Sequence, residues 1–226
     1  MQNQQSMTEK IVDIFRFVSY FLLWNALFLV FSLPTTLFVL LFGLKGIFVL
    51  PILFLLLSLF SAPAFSALFK GQYRLIQRIE GGLIVHFYQD YRRNFCTTLK
   101  FSLLPIVTGA GLTLYPTVLL SGKMQQFILF PVLFLGFVDF IFWIYGIFLT
   151  TFFENTVKET WLNALNLTIR FLFSKKMMLL LIYFVVLCFF LGEIPALVFF
   201  FGASSFTFLF LFLHFQFLME LIHSKK

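Results

Sequence analysis

One stretch of sequence decides the fold class of this chain: FILFPVLFLGFVDFIFWIYGIFLTTFF, residues 127–153. Its one charged residue is Asp139. A helix needs roughly 20 mostly apolar residues to cross the hydrocarbon core of a bilayer. A strand of a membrane barrel would instead alternate apolar and polar positions. Because the stretch is continuously apolar, it predicts a membrane-spanning helix.

Five further apolar runs lie on either side of this stretch. They cover residues 18–42, 46–69, 101–120, 177–191 and 195–219. The whole chain of 226 residues is 61% hydrophobic and 11% charged, whereas soluble domains average about 25% charged residues. We therefore predict one all-α membrane domain, a polytopic bundle of six transmembrane helices. Five is the alternative, because the run 177–191 falls below the usual span length of about 17–25 residues.

The basic residues predict the orientation of the bundle. The chain has 16 Lys and Arg, of which only Lys45 and Lys123 fall in the loops predicted to lie outside; 16 minus 2 leaves 14 inside. Such a bias places both termini in the cytoplasm and the protein in the cell membrane. The net charge of +7 then reflects contacts with an anionic inner leaflet. Nucleic acid is not an expected partner, because no polar domain carries a basic patch.

Two cytoplasmic segments, residues 70–100 and 154–176, have the pattern of amphipathic interfacial helices. In the first, Phe87, Tyr91 and Phe95 form an apolar stripe beside the polar residues Asp90, Arg92, Arg93 and Asn94. In the second, Trp161 lies at the centre of the apolar face, and Thr156 with Glu159 fits a capping box. Each helix is expected either to float on the inner leaflet or to dock a cytoplasmic partner. Arg92, Arg93 and Trp161 are the candidate docking residues.

A family resemblance rests on short motifs spread over nearly the whole chain. They are Asn25, Ser32-Leu33-Pro34, Ala62-Pro63-Ala64 with Ala67, Tyr91-Arg92-Arg93-Asn94-Phe95 and Asn163-Ala164-Leu165. Together they resemble the YesL-like family of small integral membrane proteins, found mainly in Gram-positive bacteria. The resemblance implies an association with carbohydrate uptake and utilisation. It supplies no catalytic residue.

Asp139 is the outstanding candidate for a functional site within the membrane. An unpaired carboxylate near the bilayer centre costs at least ~2.5–3.5 kcal/mol on insertion scales. Helix geometry places other polar side chains at a similar depth, namely Thr108, Ser204, Ser205 and Thr207, and Asn25 about one turn deeper; we expect all of them as neighbours. Two interpretations stay open. Asp139 is either an ion, proton or substrate site, or a neutral carboxyl bonded to hydroxyl groups that pack helices.

Enzymatic chemistry finds no support in the sequence. Asp139 has no acidic partner within the membrane runs, and no nucleophile motif or phosphate-binding loop occurs. His214, Gln216, Glu220 and His223 do not share one helical face, so neither a metal site nor a cofactor is expected. We expect an accessory subunit of a transport or envelope system, in contact with the lipid bilayer and a membrane partner protein. A small carrier or channel built around Asp139 is the alternative, and a homo-oligomer is left open.

Overall fold

The computed structural model describes residues 2–79, 81–119, 123–193 and 195–223. The regular secondary structure in these ranges is helical. The helices are α1 Gln2–Phe31, α2 Leu33–Val49, α3 Pro51–Ser58, α4 Ser61–Ile76, α5 Leu83–Leu119, α6 Lys123–Phe152, α7 Val157–Phe171, α8 Lys175–Glu193 and α9 Pro195–His223. No strand occurs in these ranges. The prediction of an all-α fold is confirmed.

Four helical segments are long and apolar enough to cross a bilayer: Ile11–Phe31, Ile52–Ile76, Leu83–Leu112 and Phe134–Phe152. Two shorter apolar segments, Leu33–Gly43 and Phe201–His214, fall below that length within the described residues. The chain therefore has the helices of a membrane protein. Four segments, rather than the six predicted, meet the length criterion in the part of the chain that the structure describes.

Several helix boundaries differ from the predicted runs. The run 18–42 divides between α1 and α2 at Ser32, because Pro34 lacks the backbone N–H that would continue the helix. The Ser32 hydroxyl donates to the Phe28 carbonyl over 2.7 Å, and this carbonyl also accepts from the Ser32 N–H. Gly43 then interrupts α2 with a φ of 59°, a left-handed conformation that glycine adopts readily.

The predicted first inner helix and third span form one continuous helix. α5 runs over 37 residues, from Leu83 to Leu119. No Gly or Pro stands between Leu83 and Phe101 to end a helix there. The aromatic stripe of this segment also turns inward, because Phe87 is fully buried and packs on Trp24 and Phe31 of α1.

α4 is the centre of the bundle. Every residue from Ser61 to Phe69 is buried, and α4 packs against α1, α5, α6 and α9. Its buried small residues are Ser61, Ala62, Ala64, Ser66 and Ala67. Small side chains allow neighbouring backbones to approach closely, which is how helices associate in lipid.

Two helical glycines accept aromatic rings against their backbones. A Cβ at Gly71 would lie 2.5 Å from the Trp24 ring, and one at Gly146 would lie 1.7 Å from Cζ of Phe101. Trp24 and Phe101 are both buried, at 1% and 0% exposed, so neither ring has free space into which it could move. These contacts set the distance of α1 from α4 and of α5 from α6.

We predict that Gly146→Ala destabilises the bundle. The added methyl group would displace Phe101 from a packed core, and overpacking of this kind typically costs about 1–3 kcal/mol. Thermal unfolding of the purified protein in detergent measures the effect. Gly136→Ala on the same helix is the control, since nothing lies within 4 Å of a Cβ there. Equal unfolding temperatures for the two variants would contradict the close contact.

Candidate functional site

Asp139 pairs with Thr108 across α5 and α6. The Thr108 hydroxyl donates to Oδ1 of Asp139 over 2.6 Å. Thr108 is exposed and Asp139 is half-buried, and their neighbours Val107 and Leu135 are 62% and 50% exposed. The pair therefore lies on the outer surface of the bundle, and we name this surface the α5–α6 face.

The backbone of α5 is unusually accessible beside this pair. A Cβ at Gly109 would lie 3.1 Å from Oδ2 of Asp139, so this second carboxylate oxygen faces a position without a side chain. Nothing lies within 4 Å of a Cβ at Gly111 or at Gly136 of α6. The α5–α6 face thus combines a carboxylate with a smooth surface of small residues.

Asn25 and Ser204 belong to a second cluster, which is buried in the bundle. The Ser204 hydroxyl donates to Oδ1 of Asn25 over 2.6 Å, and the Gln72 side chain donates to the Ser204 carbonyl over 2.8 Å. All three residues are fully buried, and they join α1, α4 and α9. Nδ2 of Asn25 and Oε1 of Gln72 lack a hydrogen-bond partner among the described residues. We name this group the Ser204 cluster.

The remaining two intramembrane candidates, Ser205 and Thr207, bond within α9 and, for Ser205, also to α8. Tyr183 of α8 and Ser205 are joined by a 2.5 Å hydrogen bond between their hydroxyl groups, and the Ser205 hydroxyl also lies 2.6 Å from its acceptor, the Phe201 carbonyl. Thr207 donates to the Ala203 carbonyl of its own helix. The five predicted neighbours are therefore divided: Thr108 contacts Asp139, Asn25 contacts Ser204, and Ser205 and Thr207 bond elsewhere. The expected single site around Asp139 needs correction on this point.

Asp90 is the charged residue whose role the sequence did not reveal. It is 5% exposed, and its carboxylate lies 3.2 Å from Nζ of Lys70 and 2.5 Å from Nη1 of Arg74. The sequence pattern placed Asp90 on the polar side of an amphipathic helix, and that was wrong. Lys70 and Arg74 are four residues apart on α4 and face α5 together, so they draw the carboxylate inward. The spacing of Lys70 and Arg74 was the sequence signal that could have indicated a shared acidic partner.

Asn94, predicted on the same polar side, is also buried, at 7% exposed. Its side-chain amide donates to Oγ of Ser66 on α4 over 2.9 Å, and the Thr151 hydroxyl of α6 donates to the same oxygen over 2.8 Å. Three helices therefore meet in one hydrogen-bonded group, which pairs the buried side-chain amide nitrogen of Asn94.

The three docking candidates have different surroundings. Trp161 is half-buried and donates from its indole nitrogen to the Phe101 carbonyl over 3.3 Å, so its side chain packs within the protein. Arg92 is exposed, as is Arg93, which forms a 3.2 Å surface ion pair with Glu154. The predicted capping box is present, since Thr156 and Glu159 bond each other's backbone at the start of α7.

The chemistry available at these sites is that of hydrogen bonding and charge pairing. Among the described residues, no group of three or more His, Cys, Asp or Glu could hold a metal ion. The α5–α6 face presents a carboxylate outward, while the Ser204 cluster keeps unpaired amide atoms inside. Either arrangement can recognise a polar group, the first on a neighbouring helix and the second on a small molecule.

The fold and these sites define a helical membrane protein. Comparisons of the chain with protein-family models, with curated proteins and with solved structures give no significant match. The resemblance to the YesL-like family therefore stays a prediction.

We predict that Asp90→Asn destabilises the protein, because it leaves Lys70 and Arg74 without their carboxylate. Hydrogen bonds to charged groups contribute about 1.5–3 kcal/mol each, and Lys70 and Arg74 are only 20% and 23% exposed. Thermal unfolding in detergent should show a clear loss. Glu154→Gln is the control, because it breaks an exposed pair that contributes about 0–1 kcal/mol. A silent Asp90→Asn would show that this group does not stabilise the bundle.

Proposed function

We propose that this protein is an accessory subunit of a membrane transport or envelope system and that it binds a partner's transmembrane helix at its α5–α6 face. The observation that supports this proposal is the outward position of Asp139. The carboxylate lies within the candidate span Phe134–Phe152 and faces the bundle surface with Thr108. A lone acidic side chain at that position would otherwise face lipid.

The energetics favour a protein neighbour over lipid. Exposure of a carboxylate to hydrocarbon costs ~2.5–3.5 kcal/mol on insertion scales, and one threonine hydroxyl offsets part of this cost. A partner helix with a hydrogen-bond donor would offset more. Gly111 and Gly136 would let its backbone approach closely, as small residues do in membrane helix pairs. The resemblance to the YesL-like family makes a carbohydrate-uptake system the favoured context.

A small secondary carrier is the second candidate. Its support is the Ser204 cluster, where the unpaired amide atoms of Asn25 and Gln72 lie in the bundle interior. Buried polar groups without partners are rare and often bind a water or a ligand. The carrier would not use Asp139 in the same path, because the hydrogen bonds of Asp139 and of Ser204 go to different helices. The subunit proposal is therefore preferred.

The proposed topology has six crossings, with both termini in the cytoplasm of a cell membrane. α8 and α9 pack against each other as neighbours in sequence and supply the last two crossings in this scheme. The supporting evidence is the strong bias of Lys and Arg toward one side of the bundle.

We predict the labelling pattern of single cysteines on a background lacking Cys96 and Cys188. Lys158→Cys and Ser224→Cys should react from the cytoplasmic side, and Lys45→Cys, in the predicted outer loop, should react from outside. Membrane-impermeant maleimide applied to intact cells and to inverted vesicles distinguishes the two sides. Reaction of Ser224→Cys from outside only would leave five crossings and contradict the six-span topology.

We predict that Asp139→Leu abolishes the partner complex and leaves the bundle folded. Leucine removes the hydrogen-bonding group, while Thr108 can still donate to the Leu104 or Pro105 carbonyl of its own helix. Asp139→Asn should keep the complex, because an amide has the shape and the hydrogen-bonding capacity of the carboxyl group. Co-purification from native membranes, with melting temperature as the measure of folding, tests both variants.

Photo-crosslinking locates the contact directly. A photoreactive residue at Val107, which is 62% exposed on the α5–α6 face, should form a stoichiometric protein adduct. The same probe at Ile182 of α8, which is 61% exposed, is the matched control and should label only lipid. Equal lipid labelling at both positions would contradict the proposed docking face. An adduct of twice the protein's own mass would mean that the partner is a second copy.

A further inference from the structure

An open cavity of about 360 Å³ lies between the first half of α1 and the end of α4. Arg16 of α1 and Arg78, which follows α4, line it together with Asp13. Among the described residues of the lining, two guanidinium groups thus stand beside one carboxylate. The cavity is therefore suited to an anion.

Apart from Tyr20, the rest of the described cavity wall is apolar. Ile14, Phe17, Leu75 and Ile79 contribute to it, and Ile14 and Ile79 are 62% and 52% exposed. The wall belongs to the ends of two candidate spans, where a helix leaves the hydrocarbon core for the headgroup region. A ligand that fills this cavity should carry an anionic group beside an apolar chain.

The backbone of Arg78 is unusual for a residue with a side chain. Its φ is 56°, and it is the one non-glycine residue with a positive φ in the described ranges. The hydrogen bonds from Arg78 N to the Leu75 carbonyl and from Ile79 N to the Arg74 carbonyl complete a Schellman motif at the end of α4. Glycine is usual at this position because it adopts the left-handed conformation without strain. Arg78 thus occupies a backbone position at which glycine would be less strained.

The Arg78 guanidinium is only loosely held by the protein. Its ion pair with Asp13 measures 3.8 Å, and the two side chains are 85% and 53% exposed. Exposed pairs of this length contribute little to stability. The planar guanidinium is consequently available for the bidentate hydrogen bonds that phosphate groups accept.

From these observations we propose that the cavity binds the phosphate headgroup of an anionic phospholipid. Arg16 and Arg78 contact the phosphate, and the first part of an acyl chain lies along Phe17 and Ile79. A soluble phosphate would satisfy the guanidinium groups and leave the apolar wall uncovered. This site is distinct from the α5–α6 face and does not depend on the proposed subunit function.

The test uses the full-length protein, delipidated in detergent, with native mass spectrometry of bound lipid. Phosphatidylglycerol should be retained in preference to phosphatidylcholine with the same acyl chains. Arg78→Gly should weaken phosphatidylglycerol binding about fivefold, the usual contribution of one basic residue near anionic lipid. The unfolding temperature of Arg78→Gly should stay equal or rise, because glycine relieves the left-handed backbone. Arg16→Gln should weaken binding to a similar extent.

Arg92→Gln is the matched control, because Arg92 is an exposed arginine of α5 that does not line the cavity. It should leave lipid retention unchanged. Equal retention of the two lipids would overturn the proposal, as would wild-type binding by Arg78→Gly. A lower unfolding temperature for Arg78→Gly would assign the residue to the fold instead. Displacement of phosphatidylglycerol by inorganic phosphate, at an ionic strength matched with chloride, would identify a site for soluble phosphate and overturn the lipid assignment.

Discussion

The burial of α4 on all sides is the constraint on which the rest of the bundle depends. Helices in lipid gain little from the hydrophobic effect, so their association relies on close packing and on hydrogen bonds between helices. α4 supplies both. Its small residues allow the neighbouring backbones to approach closely. Its polar residues form hydrogen bonds and ion pairs with the surrounding helices: Ser66 with Asn94 and Thr151, Gln72 with Ser204, and Lys70 and Arg74 with Asp90. These contacts join α4 to α5, α6 and α9.

These contacts have consequences at the surface of the bundle. The pairing of Asp90 with α4 holds the first half of α5, and the close approach of Phe101 to Gly146 sets α5 against α6. Because α5 is one continuous helix, these two contacts also determine where Thr108 meets Asp139. Ser66, Asn94 and Asp90 in the interior find partners on other helices of the chain. The Asp139 carboxylate instead lies at the edge of the protein, where a neighbouring molecule can complete its hydrogen bonding. This difference between interior and surface is the physical basis of the subunit proposal.

Sequence reasoning succeeded where the signal is local or depends on composition. The continuous apolar runs predicted the all-helical fold, and the spacing of Thr156 and Glu159 predicted the capping box at the start of α7. A depth estimate along the helices also placed Thr108 at the level of Asp139. Sequence reasoning failed where the burial of a side chain depends on which helices lie beside it. Asp90 and Asn94 have polar side chains on a charged segment, yet both are buried because α4 offers them partners. The same depth estimate grouped Asn25 and Ser204 with Asp139, since depth alone does not say which helices are adjacent.

The sequence by itself determined that this is a helical membrane protein with one carboxylate deep in an apolar segment, because apolar length and the cost of burying charge are properties of single segments. Only the tertiary structure decided that Asp139 faces outward and that α4 is the central helix. It also joined Arg16 and Arg78, which are far apart in the chain, at one cavity. These features depend on which helix faces pack together. Which faces pack together depends on contacts between residues distant in sequence, such as Phe101 with Gly146 and Asp90 with Arg74. The periodicity of a single segment does not specify these contacts.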